Sequence, residues 1–254
     1  MRIIFLGTCS GTEPMPGRKH TSVALDTGEG LYFFDVGEGC SYTAHNMGLD
    51  ILKTRKIIIS HPHMDHVGGL GNLLWVIRKL RYTQKRPISH EIDVFTSNMS
   101  TYDGAMMTLS ATEGNFEVDF EISPRRVRDG LLFDDGGIKV TAMHNSHLKW
   151  SEDNGWQSFS YLIEARGRRI VYSGDVKDIS ELDSWLPCDF LLMETGHHDP
   201  GEVAKHAAEK KVDNLIYMHH GRTIMNDPDG WELKVKALFG EKAVITHDGM
   251  VLEL

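Results

Sequence analysis

Apolar residues in the first half of the chain fall into strand-sized blocks. Arg2–Leu6, Thr21–Leu25, Leu31–Phe34, Lys56–Ser60 and Ile92–Phe95 are rich in β-branched and aromatic side chains and are bounded by Gly, Pro and Asp, which predicts strands. Over Gly71–Arg81 the spacing changes. Leu73, Leu74, Ile77 and Leu80 recur with helical period, and a second helix is expected over Ser100–Ala111 despite Gly104. The order then repeats. Ile138–Met143, Ser158–Glu164, Arg169–Ser173, Phe190–Met193, Asn214–Met218 and Ala243–Thr246 read as strands, with helices at Gly201–Lys211 and Trp231–Phe239. Asp129-Gly130, Asp135-Gly136 and Gly136-Gly137 crowd the junction of the two halves near 129–137. Mixed strands with helices on the outer faces predict an α/β protein, a four-layer αββα sandwich. With no linker in the pattern, residues 1–254 are expected to form a single domain.

Composition narrows the class. At 41% hydrophobic and 25% charged over 254 residues, the chain is neither disordered nor collagen-like. No apolar run approaches the ~18 residues of a membrane span, and Met1–Ser10 has too short an apolar stretch for a signal peptide. Cys9, Cys40 and Cys188 are odd in number and form no C-x-x-C, so a reducing, cytoplasmic setting is expected. Lys and Arg number 27 against 36 Asp and Glu, a formal charge of −9 that disfavours sequence-independent nucleic-acid binding. The basic groups at Arg78, Lys79, Arg81, Lys85 and Arg86, and at Arg125, Arg126 and Arg128, read as solvated faces.

The candidate chemistry is concentrated in Ser60-His61-Pro62-His63-Met64-Asp65-His66, directly after a predicted strand and before Val67-Gly68-Gly69. Imidazole and carboxylate are the nitrogen and oxygen ligands of divalent zinc. In extended backbone His61 and His63 point the same way, so both can serve one ion. The following turn swings Asp65 and His66 toward a neighbouring position. Further donors stand at strand ends in the second half: His144 or His147, Asp175, and His219 or His220.

With these residues the chain resembles the metallo-β-lactamase superfamily. The likeness rests on Phe5-Leu6-Gly7-Thr8-Cys9-Ser10-Gly11, Phe34-Asp35-Val36-Gly37-Glu38-Gly39, the H-x-H-x-D-H run, Ser173-Gly174-Asp175 and Ile216-Tyr217-Met218-His219. The resemblance implies two divalent ions, one held by His61, His63 and His147, the second by Asp65, His66 and His219, with Asp175 shared. Zn²⁺ is the default, and Mn²⁺ or Fe²⁺ accepts the same donors. It also implies a hydrolase in which Asp65 orients the attacking hydroxide and His197 protonates the leaving oxygen.

The first 75 residues are most similar to the RNase Z branch. His220-Gly221-Arg222-Thr223 departs from that branch's Ser-x-Arg-Tyr, and no long basic arm suited to a tRNA is visible. With the acidic balance, this favours a small phosphodiester, cyclic or nucleotide-like, over the alternative of tRNA 3′-end cleavage with RNA as partner. A carboxylic, thioester or lactam hydrolase would use the same metals. Arg18 and Lys19, in a Pro/Gly loop, are candidate phosphate contacts. Trp150, in the loop after His147, is a candidate stacking wall. A homodimer is expected only from the commonness of two-fold assemblies.

Overall fold

The computed structural model describes the chain from Met1 to Leu254, apart from the side chain of Glu113. In chain order the strands of the first half are β1 (Arg2–Gly7), β2 (Ser22–Asp26), β3 (Leu31–Phe34), β4 (Thr54–Ile58), β5 (Ile92–Thr96) and β6 (Ile122–Arg126). They are followed by β7 (Gly130–Asp134), β8 (Lys139–His144), β9 (Phe159–Ala165), β10 (Arg168–Tyr172), β11 (Phe190–Thr195), β12 (Asn214–His220), β13 (Ala243–Ile245) and β14 (Val251–Glu253). The helices are α1 (Cys40–Asn46), α2 (Met64–Val67), α3 (Leu70–Thr83), α4 (Met99–Ser110), α5 (Pro200–Glu209), α6 (Arg222–Asn226) and α7 (Pro228–Phe239). The chain divides into two compact units. One comprises Met1–Gly7, Pro16–Val127 and Asp248–Leu254, the other Thr8–Met15 and Arg128–His247.

The first unit holds a seven-stranded sheet in the order β14-β1-β2-β3-β4-β5-β6. Strands β14, β1, β2 and β3 pair antiparallel, and β3 through β6 pair parallel. The parallel steps require crossovers, which α1, then α2 with α3, then α4 provide. Strand β4 ends at Ile58 rather than Ser60, because Ser60 gives both its backbone N–H and its hydroxyl to Asp35. Ile57, Ile58 and Val94 are fully buried, as expected of parallel strands covered on both faces. Helix α3 turns Leu70, Leu73, Leu74 and Ile77 into the core, the stripe that its sequence period implies. Each such side chain contributes about 1.5–3 kcal/mol on full burial. Strand β6 carries Pro124 and lies at the sheet edge, where a missing N–H is tolerated.

The second unit repeats the plan in the order β13-β12-β11-β10-β9-β8-β7. Strands β7 to β10 form an antiparallel meander and β10 to β13 run parallel. Its separate core includes Val171, Leu191, Met193, Val203, Ala207, Leu215 and Tyr217. Helix α5 opens with Asp199, whose carboxylate accepts from the N–H groups of Gly201 and Glu202, and with Pro200 in its first turn. The three cysteines are buried and free, and burial pushes the Cys40 and Cys188 thiols up to about 12. Among the described residues no helix is long and apolar enough to cross a membrane.

Candidate functional site

The first unit assembles four donors on the loop that follows β4. Asp35, just past β3 with φ 56°, turns its carboxylate beneath this loop. Its Oδ1 accepts the Ser60 N–H at 2.7 Å, and its Oδ2 accepts the Ser60 hydroxyl at 2.8 Å. His66 Nδ1 lies 2.8 Å from the same Oδ2, and the Ser60 hydroxyl is 3.1 Å from His61 Nδ1. With Nδ1 of both rings engaged behind the loop, Nε2 is the ligating nitrogen each ring offers. His61 and His66 are fully buried with ring centroids 4.0 Å apart. The exposed His63 lies edge-on to His61 at 4.5 Å, and Asp65 Oδ2 is 3.3 Å from His66 Nε2. A Cβ on Gly37 would sit 2.4 Å from the Asp65 carbonyl oxygen and 2.6 Å from the His20 carbonyl carbon, so only glycine permits this approach. The strap carrying Arg18 and Lys19 therefore runs beside the donor loop, with the Lys19 N–H held by Asp248 at 2.6 Å.

The second unit gathers donors from four strand ends. His147 follows β8 on a loop fixed by buried Asn145. The Asn145 Oδ1 accepts the His147 N–H at 3.1 Å and the Ser158 hydroxyl at 2.6 Å. Asp175 follows β10, and its carboxylate lies 3.8 Å from His147 Nε2, 3.7 Å from His197 Nδ1 and 3.4 Å from His219 Nε2. Ligand atoms of Asp175, Glu194, His197 and His219 all fall within 4.8 Å of one another.

His219 owes its position to a bulge. Glu194 pairs with Met218 and Thr195 with His220, so His219 is the extra residue in β12, and it takes a φ of 50°. A bulge re-aims a side chain, and a non-glycine residue at positive φ is strained. Gly196 makes room for the imidazole: a Cβ there would lie 2.7 Å from His219 Nδ1. The neighbouring His220 is engaged elsewhere, with Nδ1 3.1 Å from the Thr195 hydroxyl and Nε2 2.9 Å from the Thr246 carbonyl. His144 likewise turns to Asp129, at 2.7 Å, and stacks on Trp156 at 4.2 Å.

Sequence reading missed Glu194. This fully buried carboxylate accepts the His197 N–H at 3.0 Å and lies 3.1 Å from His197 Nδ1, 3.3 Å from His198 Nε2 and 3.6 Å from His219 Nδ1. Burial alone would raise its pKa, yet the three neighbouring histidines hold it well below the ordinary carboxylate value. In return the hydrogen bond to Glu194 raises the pKa of His197. Burial opposes charge on His198, but Glu194 leaves its pKa raised as well. The spacing Glu194-x-x-His197 at a strand end was the available signal. Asp35 stood in view only as a flank of the resemblance. Trp150 is 55% exposed on the loop after His147, and Arg222 is paired with Glu13.

The donors suit a divalent metal: imidazole Nε2 atoms and carboxylate oxygens, with Asp35 and Ser60 bracing two of the rings from behind. Two sheets of this plan, with histidine and carboxylate donors on the loops after their strands, match what the resemblance to the metallo-β-lactamase superfamily implies. Within it, the chain belongs to the family of the Anti-Pycsar protein Apyc1, whose model matches residues 1–218.

The ribonuclease Z of Methanothermobacter thermautotrophicus is 29% identical over 148 residues, 58% of this chain and 45% of that protein. The chain thus spans about half the length of the first curated relatives it matches. The ribonuclease Z of Archaeoglobus fulgidus is 23% identical over 316 residues, covering 100% of this chain and 97% of the relative. Among solved structures, the metallo-β-lactamase fold protein YhfI from Bacillus subtilis superposes with a TM-score of 0.75 at 16% identity, over 99% and 98% of the two chains. Human tRNase Z, short form, gives 0.71 at 23% identity over 100% and 99%. Unliganded yeast PDE1 gives 0.64 at 14% identity over 100% and 99%. These likenesses establish the expected metallo-β-lactamase fold.

Proposed function

We propose that this protein is a metal-dependent phosphodiesterase. The observation that supports it most is the set of braced donors: His61 and His66 locked through Nδ1 in the first unit, and Asp175 and His219 brought within 3.4 Å in the second. Following the superfamily pattern, His61, His63 and His147 would hold one ion and Asp65, His66 and His219 the other, with Asp175 as a ligand common to both. Zn²⁺ is the default, with Mn²⁺ and Fe²⁺ as competitors for the same donors. Divalent ions held in this way acidify water and neutralise the charge on phosphoryl oxygens.

The chain's own groups do the rest. Asp65 orients the attacking hydroxide. His197, its Nδ1 engaged by Glu194, carries a proton on Nε2 for the departing oxygen. Arg18 and Lys19 attract the substrate's phosphate, and Trp150 flanks its organic part.

Two substrate classes fit this chemistry. The acidic balance and His220-Gly221-Arg222-Thr223 support a small, nucleotide-like phosphodiester. The curated ribonuclease Z relatives and the likeness to human tRNase Z support tRNA 3′-end cleavage, and by the comparisons this second reading is the better backed. Metal-reconstituted protein assayed on cyclic and linear dinucleotides beside a 3′-extended precursor tRNA separates them. Hydrolysis of a thioester or lactam with no phosphodiester cleaved would overturn both.

A further inference from the structure

The first unit carries a groove of about 850 Å³ between α3 and α4 that the metal chemistry leaves unused. Its lining includes Pro62, Met64, Asn72, Trp75, Gly104 and Thr108, and none of its lining residues is charged. Pro62 and Met64 are the immediate neighbours of His63, so the groove begins where the donor loop ends.

We infer that this groove is a nucleobase subsite, additional to the contact proposed for Trp150. The inference rests on the phosphodiesterase reading and holds for a small nucleotide and for an RNA end alike. Small-molecule sites of roughly 300–1,000 Å³ are lined mainly by apolar groups with a few polar ones that fix orientation, and this groove has that make-up. Trp75 offers an aromatic surface and is flanked by the Lys79 ammonium, 5.0 Å from its ring centroid. The Asn72 side-chain oxygen accepts the Ser41 hydroxyl, which leaves the amide N–H₂ of this lining residue as the group able to donate to a base edge. The lining residues carry no charge of their own to hold a phosphate, while Asn72, Asn98, Thr101 and Thr108 among them offer polar groups that can pair with a base edge.

Gly104 adds an independent observation. It lies inside α4, where glycine is among the poorest helix formers, and its φ is not positive. A Cβ built on it would meet no atom within 4 Å. Neither backbone strain nor close packing calls for glycine here; the space it leaves belongs to the groove.

The test titrates the metal-free protein with adenosine, guanosine, cytidine and uridine, and separately with inorganic phosphate. Tryptophan emission is read against Trp75→Phe, with calorimetry in parallel. At least one nucleoside is expected to saturate the Trp75 signal without competition from phosphate. Gly104→Leu, which projects into open space, should weaken that binding at least tenfold. The same variant, loaded with metal, should raise KM for nucleotide substrates at least tenfold at unchanged kcat and unchanged metal content. Equal nucleoside binding by the wild type and Gly104→Leu, or no nucleoside binding at millimolar concentration, overturns the assignment. A change in oligomeric state by light scattering with KM unmoved also overturns it, and identifies the groove as a contact between copies. Nucleoside binding that Gly104→Leu abolishes, with no phosphodiester hydrolysed, sinks the phosphodiesterase reading and leaves the base subsite standing.

Discussion

Asp35 directly follows β3 and Asp175 comes three residues after β10, at corresponding strand ends in two sheets of like plan, each strand pairing antiparallel with the one before it and parallel with its other neighbour. Asp35 commits its carboxylate inside its own unit, to the Ser60 N–H, the Ser60 hydroxyl and His66 Nδ1. Asp175 instead stands 3.4–3.8 Å from imidazole nitrogens of His147, His197 and His219. One strand end therefore supplies a brace and the other a candidate donor. The histidines around each carboxylate account for the difference. A dense local motif after β4 needs support, whereas single histidines from separate strands need a shared partner.

The comparison is broken hardest by removing donors. Asp65→Ala or Asp175→Ala should reduce phosphodiester hydrolysis to background, with far-ultraviolet circular dichroism retained. Wild-type rates in either variant would refute the ligand roles. Next comes the acid. His197→Ala should slow turnover by roughly 10²–10⁴-fold, far more for a ribose leaving group than for p-nitrophenolate, at unchanged metal content. Loss of metal would make His197 a ligand instead. Glu194→Gln should show the same dependence on leaving group.

A smaller effect tests the brace. Asp35→Ala should weaken metal affinity by about 10–100-fold, as loss of an outer-shell partner does, and high metal concentration should restore the rate. Failure of metal to rescue would make Asp35 more than a support. Smallest of all, Trp150→Ala removes an exposed side chain, so stability should stay within about 0.5 kcal/mol. KM alone should move if the ring stacks on substrate.

The first unit was the more legible half because its chemistry is local. H-x-H-x-D-H shows its donors within six residues, and α3 shows its buried stripe as a plain period. Strand β14 was hidden because its partner β1 lies at the other end of the chain. Strand β6 was hidden by Pro124, Arg125 and Arg126, tolerable only at an edge. Helix α1 buries Cys40, Ser41 and Ala44, small residues that leave no strong apolar period. In the second unit, sequence brought His219 and His220 forward equally. Only the bulge in β12 turns one toward Asp175 and the other toward Thr195 and Thr246. Glu194 drew no reading from the sequence, since its three histidine partners lie beyond the strand that carries it.

The most direct test is stepwise reconstitution of metal-free protein followed by elemental analysis, with phosphodiester hydrolysis measured at each step. The account predicts two equivalents of divalent metal at full activity, with uptake reduced in both His61→Ala and His219→Ala. Full hydrolysis by metal-free protein, or undiminished uptake and activity in both variants, would contradict it.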